Sequence, residues 1–133
     1  MKERIFVFYN SEIRRFADTA FRDFEAAKKY HKTLPRGKFA LMTSGESFTQ
    51  SDVKAYYAVW SDCKRLEDDK EEFGVSRTIH LYPDKNTMIY KDPMFNNIDP
   101  KSVIACNEDE TCVSFVEYDG TICNYKILSI DII

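Results

Sequence analysis

The spacing of apolar residues changes along this chain, and that change limits the folds it can adopt. Apolar side chains recur at helical spacing over residues 11–32 and again from residue 47 to 66. From residue 75 onward they alternate with polar residues, which is the period of a half-buried strand. Short apolar runs at residues 5–9 and 38–43 predict two further strands. The sequence therefore predicts an α+β protein in the order β-α-β-α, followed by a mostly antiparallel meander, with the two helices on one face of the sheet.

Local signals define the ends of these predicted elements. Pro35 and Gly37 follow the first helical pattern and end it. Ser47 with Gln50 forms a capping box that predicts the start of a second helix. Residues 83–86 read as a turn between strands at 75–82 and 87–90, and Asp119-Gly120 is a typical hairpin turn. Strands at 102–106, 111–118 and 121–130 complete the predicted meander.

Length and composition predict one folded domain, residues 1–133. An apolar fraction of 44% in 133 residues is enough for one core. The chain has no apolar run of about 20 residues, the length that spans a membrane, and no signal-peptide pattern. We therefore expect a cytoplasmic protein without membrane contact.

Four cysteines bear on redox state and metal binding. Cys63, Cys106, Cys112 and Cys123 form no CxxC pair, and the two histidines are not at zinc-site spacing. The sequence predicts reduced thiols, no metal and no cofactor.

Catalytic motifs are absent from the sequence. It has no phosphate-binding loop and no nucleophile elbow. The chain is therefore predicted to be non-enzymatic, with no catalytic residues. An alternative is a small-molecule binder or enzyme with a pocket near Tyr57, Trp60 and His80, where the aromatic rings could stack on a ligand. Core packing of a helical aromatic stripe is the competing interpretation of Tyr57 and Trp60.

Charge is divided along the chain. Residues 1–40 hold ten Lys/Arg against five Asp/Glu, and residues 41–133 hold nine against seventeen. Such a division is typical of proteins with a charged partner, although the two parts can also neutralise each other. The basic candidates lie on the predicted helix 11–32: Arg14, Arg15, Arg22, Lys28, Lys29 and Lys32.

Two further segments are candidate interaction sites. An acidic run lies at the C-terminal end of the second predicted helix, where the helix dipole disfavours carboxylates. It consists of Glu67, Asp68, Asp69, Glu71 and Glu72. Met94 and Phe95 lie in a polar loop bounded by prolines and are predicted to form an exposed binding tip. A lid packed on the sheet edge is the alternative for this loop.

These features favour a small protein-interaction module that binds a protein through complementary charge. Abundant Ile, Lys, Phe, Tyr and Asn suggest an AT-rich genome, and hence a bacteriophage or mobile element acting on a host protein. The alternative partner is a nucleic acid on the basic helix 11–32. The predicted element order resembles that of small ribosome-dependent RNase toxins, but their sheets are basic, whereas the C-terminal strands here are acidic or neutral.

Overall fold

The computed structural model describes residues 2–64, 80–92, 95, 105–106, 112–116, 120 and 122–133, of which 60–64, 105–106 and 112–116 are described by their backbone alone. The elements follow the chain as β1 (Phe6–Asn10), β2 (Arg15–Phe16), β3 (Thr19–Ala20), α1 (Phe24–Thr33), β4 (Ala40–Thr43), β5 (Lys54–Lys64), α2 (Lys85–Lys91), β6 (Ala105–Cys106), β7 (Cys112–Val116) and β8 (Ile122–Ile132). Within the described residues, two helices and two sheets confirm the predicted α+β class.

The chain divides into two compact units. Unit 1 comprises Met1–Tyr57, His80–Asp84 and Ser129–Ile133, and unit 2 comprises Ala58–Ile79 and Lys85–Leu128. The long strands β5 and β8 contribute residues to both units. The prediction of one domain over residues 1–133 stays a prediction.

The first sheet lies in unit 1 and has the order β2-β1-β4. Both neighbours of β1 are antiparallel to it, with Tyr9 opposite Phe16 on one side and Phe8 opposite Leu41 on the other. Helix α1 packs on this sheet through Ala27, which is fully buried beside Phe8. The partly buried residues around this core are Phe6, Phe21, Tyr30, Leu34, Phe39 and Leu41.

The second sheet has the order β3-β8-β7-β6, and β5 also pairs with β8. β3 is parallel to the end of β8, with Thr19 opposite Asp131. β6, β7 and β8 pair antiparallel in chain order, and Val116 lies opposite Ile122. None of the helices in the described ranges is long and apolar enough to cross a membrane.

The predicted helix over residues 11–32 is wrong in its first half. A turn at residues 11–14 places Arg14 at φ 51°, a left-handed conformation that a helix does not contain. The following residues pair with β1: Ala17 N–H donates to Phe8 O at 2.9 Å, and Phe21 N–H donates to Phe6 O at 3.0 Å. Hydrogen bonding to β1, to the end of β8 and to Ile133 therefore overrides the helical spacing up to Arg22, and α1 begins only at Phe24.

The predicted second helix is also wrong, because residues 54–64 form strand β5. Tyr, Trp and Val favour strands, and a continuous apolar run suits a strand that is buried on both faces. Ala55, Tyr57, Ala58 and Val59 are all buried. The neighbouring stripe residues Tyr56 and Tyr57 thus lie on opposite faces of β5, and the predicted pair of helices on one face of the sheet loses its second helix.

A third correction concerns residues 87–90, which were predicted as a strand and lie in helix α2. Asp84 immediately precedes this helix and is a favoured N-cap residue type, so the proline-containing segment leads into a helix instead of turning between strands. The strands predicted at residues 5–9 and 38–43 are present as β1 and β4.

Candidate functional site

Helix α1 presents three lysines to solvent. Its N-cap, Asp23, accepts a hydrogen bond from Ala26 N–H at 2.9 Å, which satisfies one of the free donors of the first turn. Ala27 faces the core, so Lys28, Lys29 and Lys32 remain exposed. Lys32 and His31 lie in the last turn, where cations suit the negative end of the helix dipole.

The basic residues continue through the turn that joins α1 to β4. Lys38 N–H donates to Pro35 O at 3.2 Å, and Gly37 within this turn has φ 76°. A residue with a side chain is strained at that angle, so glycine fits the position. The turn exposes Arg36 and Lys38. We call Lys28, Lys29, Lys32, Arg36 and Lys38 the basic surface.

Much of the charge on the basic surface has no counter-ion. Lys28 pairs with Glu25 at 3.2 Å and lies 4.9 Å from the Phe24 ring centre. Lys38 pairs with Glu12 at 3.4 Å. Both pairs are exposed and therefore weak. In the described part of the chain, Lys29, Lys32 and Arg36 make no ion pair.

Arg22 was predicted as a binding residue, but its side chain is used inside unit 1. Its guanidinium donates to Glu3 Oε1 at 2.8 Å, to Thr49 O at 2.9 Å and to Asp52 O at 2.7 Å. These bonds tie the segment before β1 to the turn before β5. Its side chain is only 19% exposed, so Arg22 has little surface left for a partner.

Arg14 and Arg15 lie away from the other basic candidates. They lie at β2, on the opposite side of β1 from β4. The Arg15 guanidinium donates to Arg14 O at 3.1 Å. Burial raises the pKa of nearby Tyr9, although the positive charges of Arg14 and Arg15 act in the opposite direction. The basic candidates of the predicted helix 11–32 are therefore divided between the segment at β2 and helix α1.

The Tyr57 ring is not free to stack on a ligand. Tyr57 is buried, its hydroxyl accepts a hydrogen bond from Phe16 N–H at 3.2 Å, and its ring packs edge-on against Phe16 at 5.0 Å. Burial raises the pKa of Tyr57, although the hydrogen bond from Phe16 opposes the shift. His80 is half-buried with its ring 6.5 Å from that of Tyr82. The Trp60 side chain lies outside the described residues.

Phe95 is not an exposed binding tip. It is 7% exposed and packs edge-on against Tyr125, with 5.0 Å between ring centres. The predicted exposure of Phe95 is therefore wrong. Met94 lies outside the described residues, as does the acidic run Glu67, Asp68, Asp69, Glu71 and Glu72.

Cys123 corrects the prediction that all thiols are reduced. It is disulfide-bonded and 2% exposed, in the buried part of β8. The side chains of the other three cysteines lie outside the described residues. Among the residues that are described, no three His, Cys, Asp or Glu side chains gather as a metal site.

Comparison with protein-family models, with curated proteins and with solved structures finds no match to this chain. The residues of the chain itself are therefore the basis for a functional hypothesis. Sequence reasoning missed Arg36 and Lys38 because it treated positive charge as a property of one helix. The signal was present, since residues 24–43 contain five Lys/Arg and one acidic residue, Glu25.

Proposed function

We propose that this chain is a non-enzymatic protein-interaction module whose basic surface binds an acidic region of another protein. The observation that carries the proposal is the exposure of Lys29, Lys32 and Arg36 without an ion pair among the described residues. Charges of one sign on one surface speed association and select partners of the opposite sign.

Several features of unit 1 support a binding surface over a purely solvated one. The backbone beneath the basic surface is fixed by the Asp23 cap, by the turn at Gly37 and by packing of Ala27. Cations on a fixed scaffold lose less conformational freedom on binding than cations on a loose tail.

The small-molecule alternative has less support. Tyr57, its central residue, is buried and already accepts a hydrogen bond from Phe16. A ligand that needs the Tyr57 hydroxyl would have to displace that bond.

A bacteriophage source, action on a host protein and a cytoplasmic location stay predictions from composition. The disulfide of Cys123 weighs against a reducing compartment, because disulfides persist mainly in oxidising ones.

Affinity capture with immobilised variants tests the proposal. The double variant Lys28→Glu/Lys32→Glu reverses two charges of the basic surface, and Lys126→Glu changes an exposed lysine of β8 that lies in unit 2. We expect wild type and Lys126→Glu to capture the same protein and the double variant to lose it.

A nuclease-treated lysate separates the two partner classes. Protein capture that survives nuclease supports the proposal. Capture that disappears with nuclease, or retention by the double variant equal to that of wild type, contradicts it. Capture that disappears with nuclease would mean that the basic surface binds nucleic acid. Such binding should weaken steeply with salt, because it depends on phosphate contacts.

A further inference from the structure

The outer edge of β4 has backbone groups without a strand partner in the described part of the chain. β4 is the last strand of its sheet, and none of the described strands pairs with its far side. Ser44 N–H donates to Ile5 O at 2.9 Å, which marks Ile5 and Ser44 as a hydrogen-bonded pair of the β1–β4 ladder. Hydrogen-bonded pairs recur at every second residue of an antiparallel ladder. Met42 and Ala40 therefore direct their backbone groups toward β1, whereas Leu41 and Thr43 direct theirs outward.

A contact at Phe39 agrees with this alternation. Phe39 is two residues before Leu41, so its carbonyl also points outward, and it accepts a hydrogen bond from His31 Nε2 at 2.7 Å. His31 thus occupies the outer edge at Phe39, and none of the described residues hydrogen-bonds to the outward backbone groups of Leu41 and Thr43. An open edge is a template for an additional strand.

The lysines of α1 flank this open edge. α1 contacts β4, and His31 directs its ring toward the edge. Lys28 lies one turn before His31 on the same side of the helix, and Lys32 lies one turn after Lys28. An added strand would therefore have Lys28 near one face, with Lys32 one helical turn further along α1.

The opposite face of the edge is apolar. Leu41 packs with the core beneath α1, so the neighbouring residue Met42 points to the other side of the sheet. Met42 is 48% exposed. A strand beside β4 would place alternate side chains near the α1 lysines and near Met42.

We propose that the outer edge of β4 binds an extended segment of a partner protein by strand addition, and that this segment alternates acidic with apolar residues. The inference rests on the proposed function and adds the mode of binding. The backbone of the segment pairs with Leu41 and Thr43, its carboxylates face Lys28 and Lys32, and its apolar side chains cover Met42. Backbone pairing requires a peptide, so the occupant is a protein segment and not a nucleic acid.

A matched pair of variants at Thr43 tests backbone pairing. Thr43→Pro removes the outward N–H and leaves the bonds to β1, whereas Thr43→Ala keeps the N–H and removes only the side chain. Proline is tolerated on an edge strand. Unchanged melting temperature and circular dichroism of both variants show that each is folded. If Thr43→Pro does not fold, Lys28→Glu/Lys32→Glu and Met42→Glu replace it as the test.

The probe is a fluorescent peptide that alternates glutamate with valine, and its binding is measured by fluorescence anisotropy. The control is a peptide of the same composition in which the glutamates and the valines form separate blocks. We expect the alternating peptide to bind more tightly. Thr43→Pro should raise its Kd by about five- to tenfold relative to Thr43→Ala, the factor expected for one lost backbone hydrogen bond. Met42→Glu and Lys28→Glu/Lys32→Glu should each weaken binding of the alternating peptide.

Three results would overturn the inference. Equal binding of the alternating and block peptides, or equal Kd for Thr43→Pro and Thr43→Ala, would show that β4 adds no strand. If the peptide results were negative but Lys28→Glu/Lys32→Glu still failed to capture the partner protein, the basic surface would bind that protein without strand addition, and the proposed function would stand. Tighter binding of a single-stranded RNA oligonucleotide than of either peptide would overturn both strand addition and the proposed function.

Discussion

Two single side chains protect opposite edges of the first sheet. The Tyr57 hydroxyl accepts a hydrogen bond from the N–H of Phe16 in β2, and His31 Nε2 donates a hydrogen bond to the carbonyl of Phe39, which precedes β4. Both backbone groups point away from β1 and have no strand partner in the described residues. Polar groups left unpaired at a partly buried edge cost free energy, so these two bonds stabilise the ends of the sheet.

Replacing Tyr57 by Phe tests the first of these contacts. The change removes the acceptor of Phe16 N–H, and we expect the free energy of unfolding to fall by about 1 kcal/mol at neutral pH. Urea denaturation measures this. Tyr90→Phe is the control, because Tyr90 is 88% exposed, and it should leave stability unchanged.

Tyr57→Phe should also change how the stability of the protein depends on pH in the alkaline range. Burial raises the pKa of Tyr57 above the unfolded value of about 10, so the unfolded state loses this proton first. The stabilisation is complete below pH of about 10 and is lost as pH rises through the folded-state pKa. We expect stability to fall as pH rises above about 10 in wild type and to fall less steeply in Tyr57→Phe. Equal slopes would mean that Tyr57 titrates normally in the folded protein.

At the scale of elements, α1 shows that a cap decides where a helix starts. Helical spacing runs through residues 13–27, yet the helix begins only after Asp23. Upstream of Asp23 the backbone groups bond to β1, to the end of β8 and to Ile133. At Asp23 the side chain supplies the acceptor that the first turn needs. The position of the basic surface therefore depends on this residue.

Asp23→Ala should lower the free energy of unfolding by about 1 kcal/mol, because the bond to Ala26 N–H is lost. Asp23→Asn is the matched control, since asparagine also caps helices and should remain close to wild type. Urea denaturation of the three proteins gives the comparison. If Asp23→Asn lowered the free energy of unfolding as much as Asp23→Ala, the stabilisation would come from the charge of Asp23 and not from its capping hydrogen bond.

For the whole molecule, the charge division follows the two units more weakly than the sequence suggests. Unit 1 holds eleven Lys/Arg and nine Asp/Glu, and unit 2 holds eight and thirteen. Unit 1 is thus close to neutral except around the basic surface. A local cluster, and not a generally basic half of the chain, is what a partner would meet.

The disulfide of Cys123 also acts on the whole molecule, because a cross-link restricts the unfolded chain. Reductant should lower the free energy of unfolding by about 2–4 kcal/mol. Alkylation of the denatured protein, followed by intact mass, should label two more cysteines after reduction than before. Equal labelling in both samples would show that Cys123 is a free thiol.

The sequence by itself determined the α+β class, strands β1 and β4, the end of α1 before Pro35 and the lysines of α1. Each of these depends on residues close together in the chain: an apolar run, a proline, a glycine that accepts positive φ, or a local excess of lysine. Only the tertiary structure decided the fate of residues 11–22 and 54–64. Their apolar residues fit a helical stripe, but they also fit strands that are covered on both faces, and hydrogen bonds to distant strands settled the choice. The open edge at Leu41 and Thr43 likewise follows from the register between β1 and β4, because a shift of one residue would turn those groups inward.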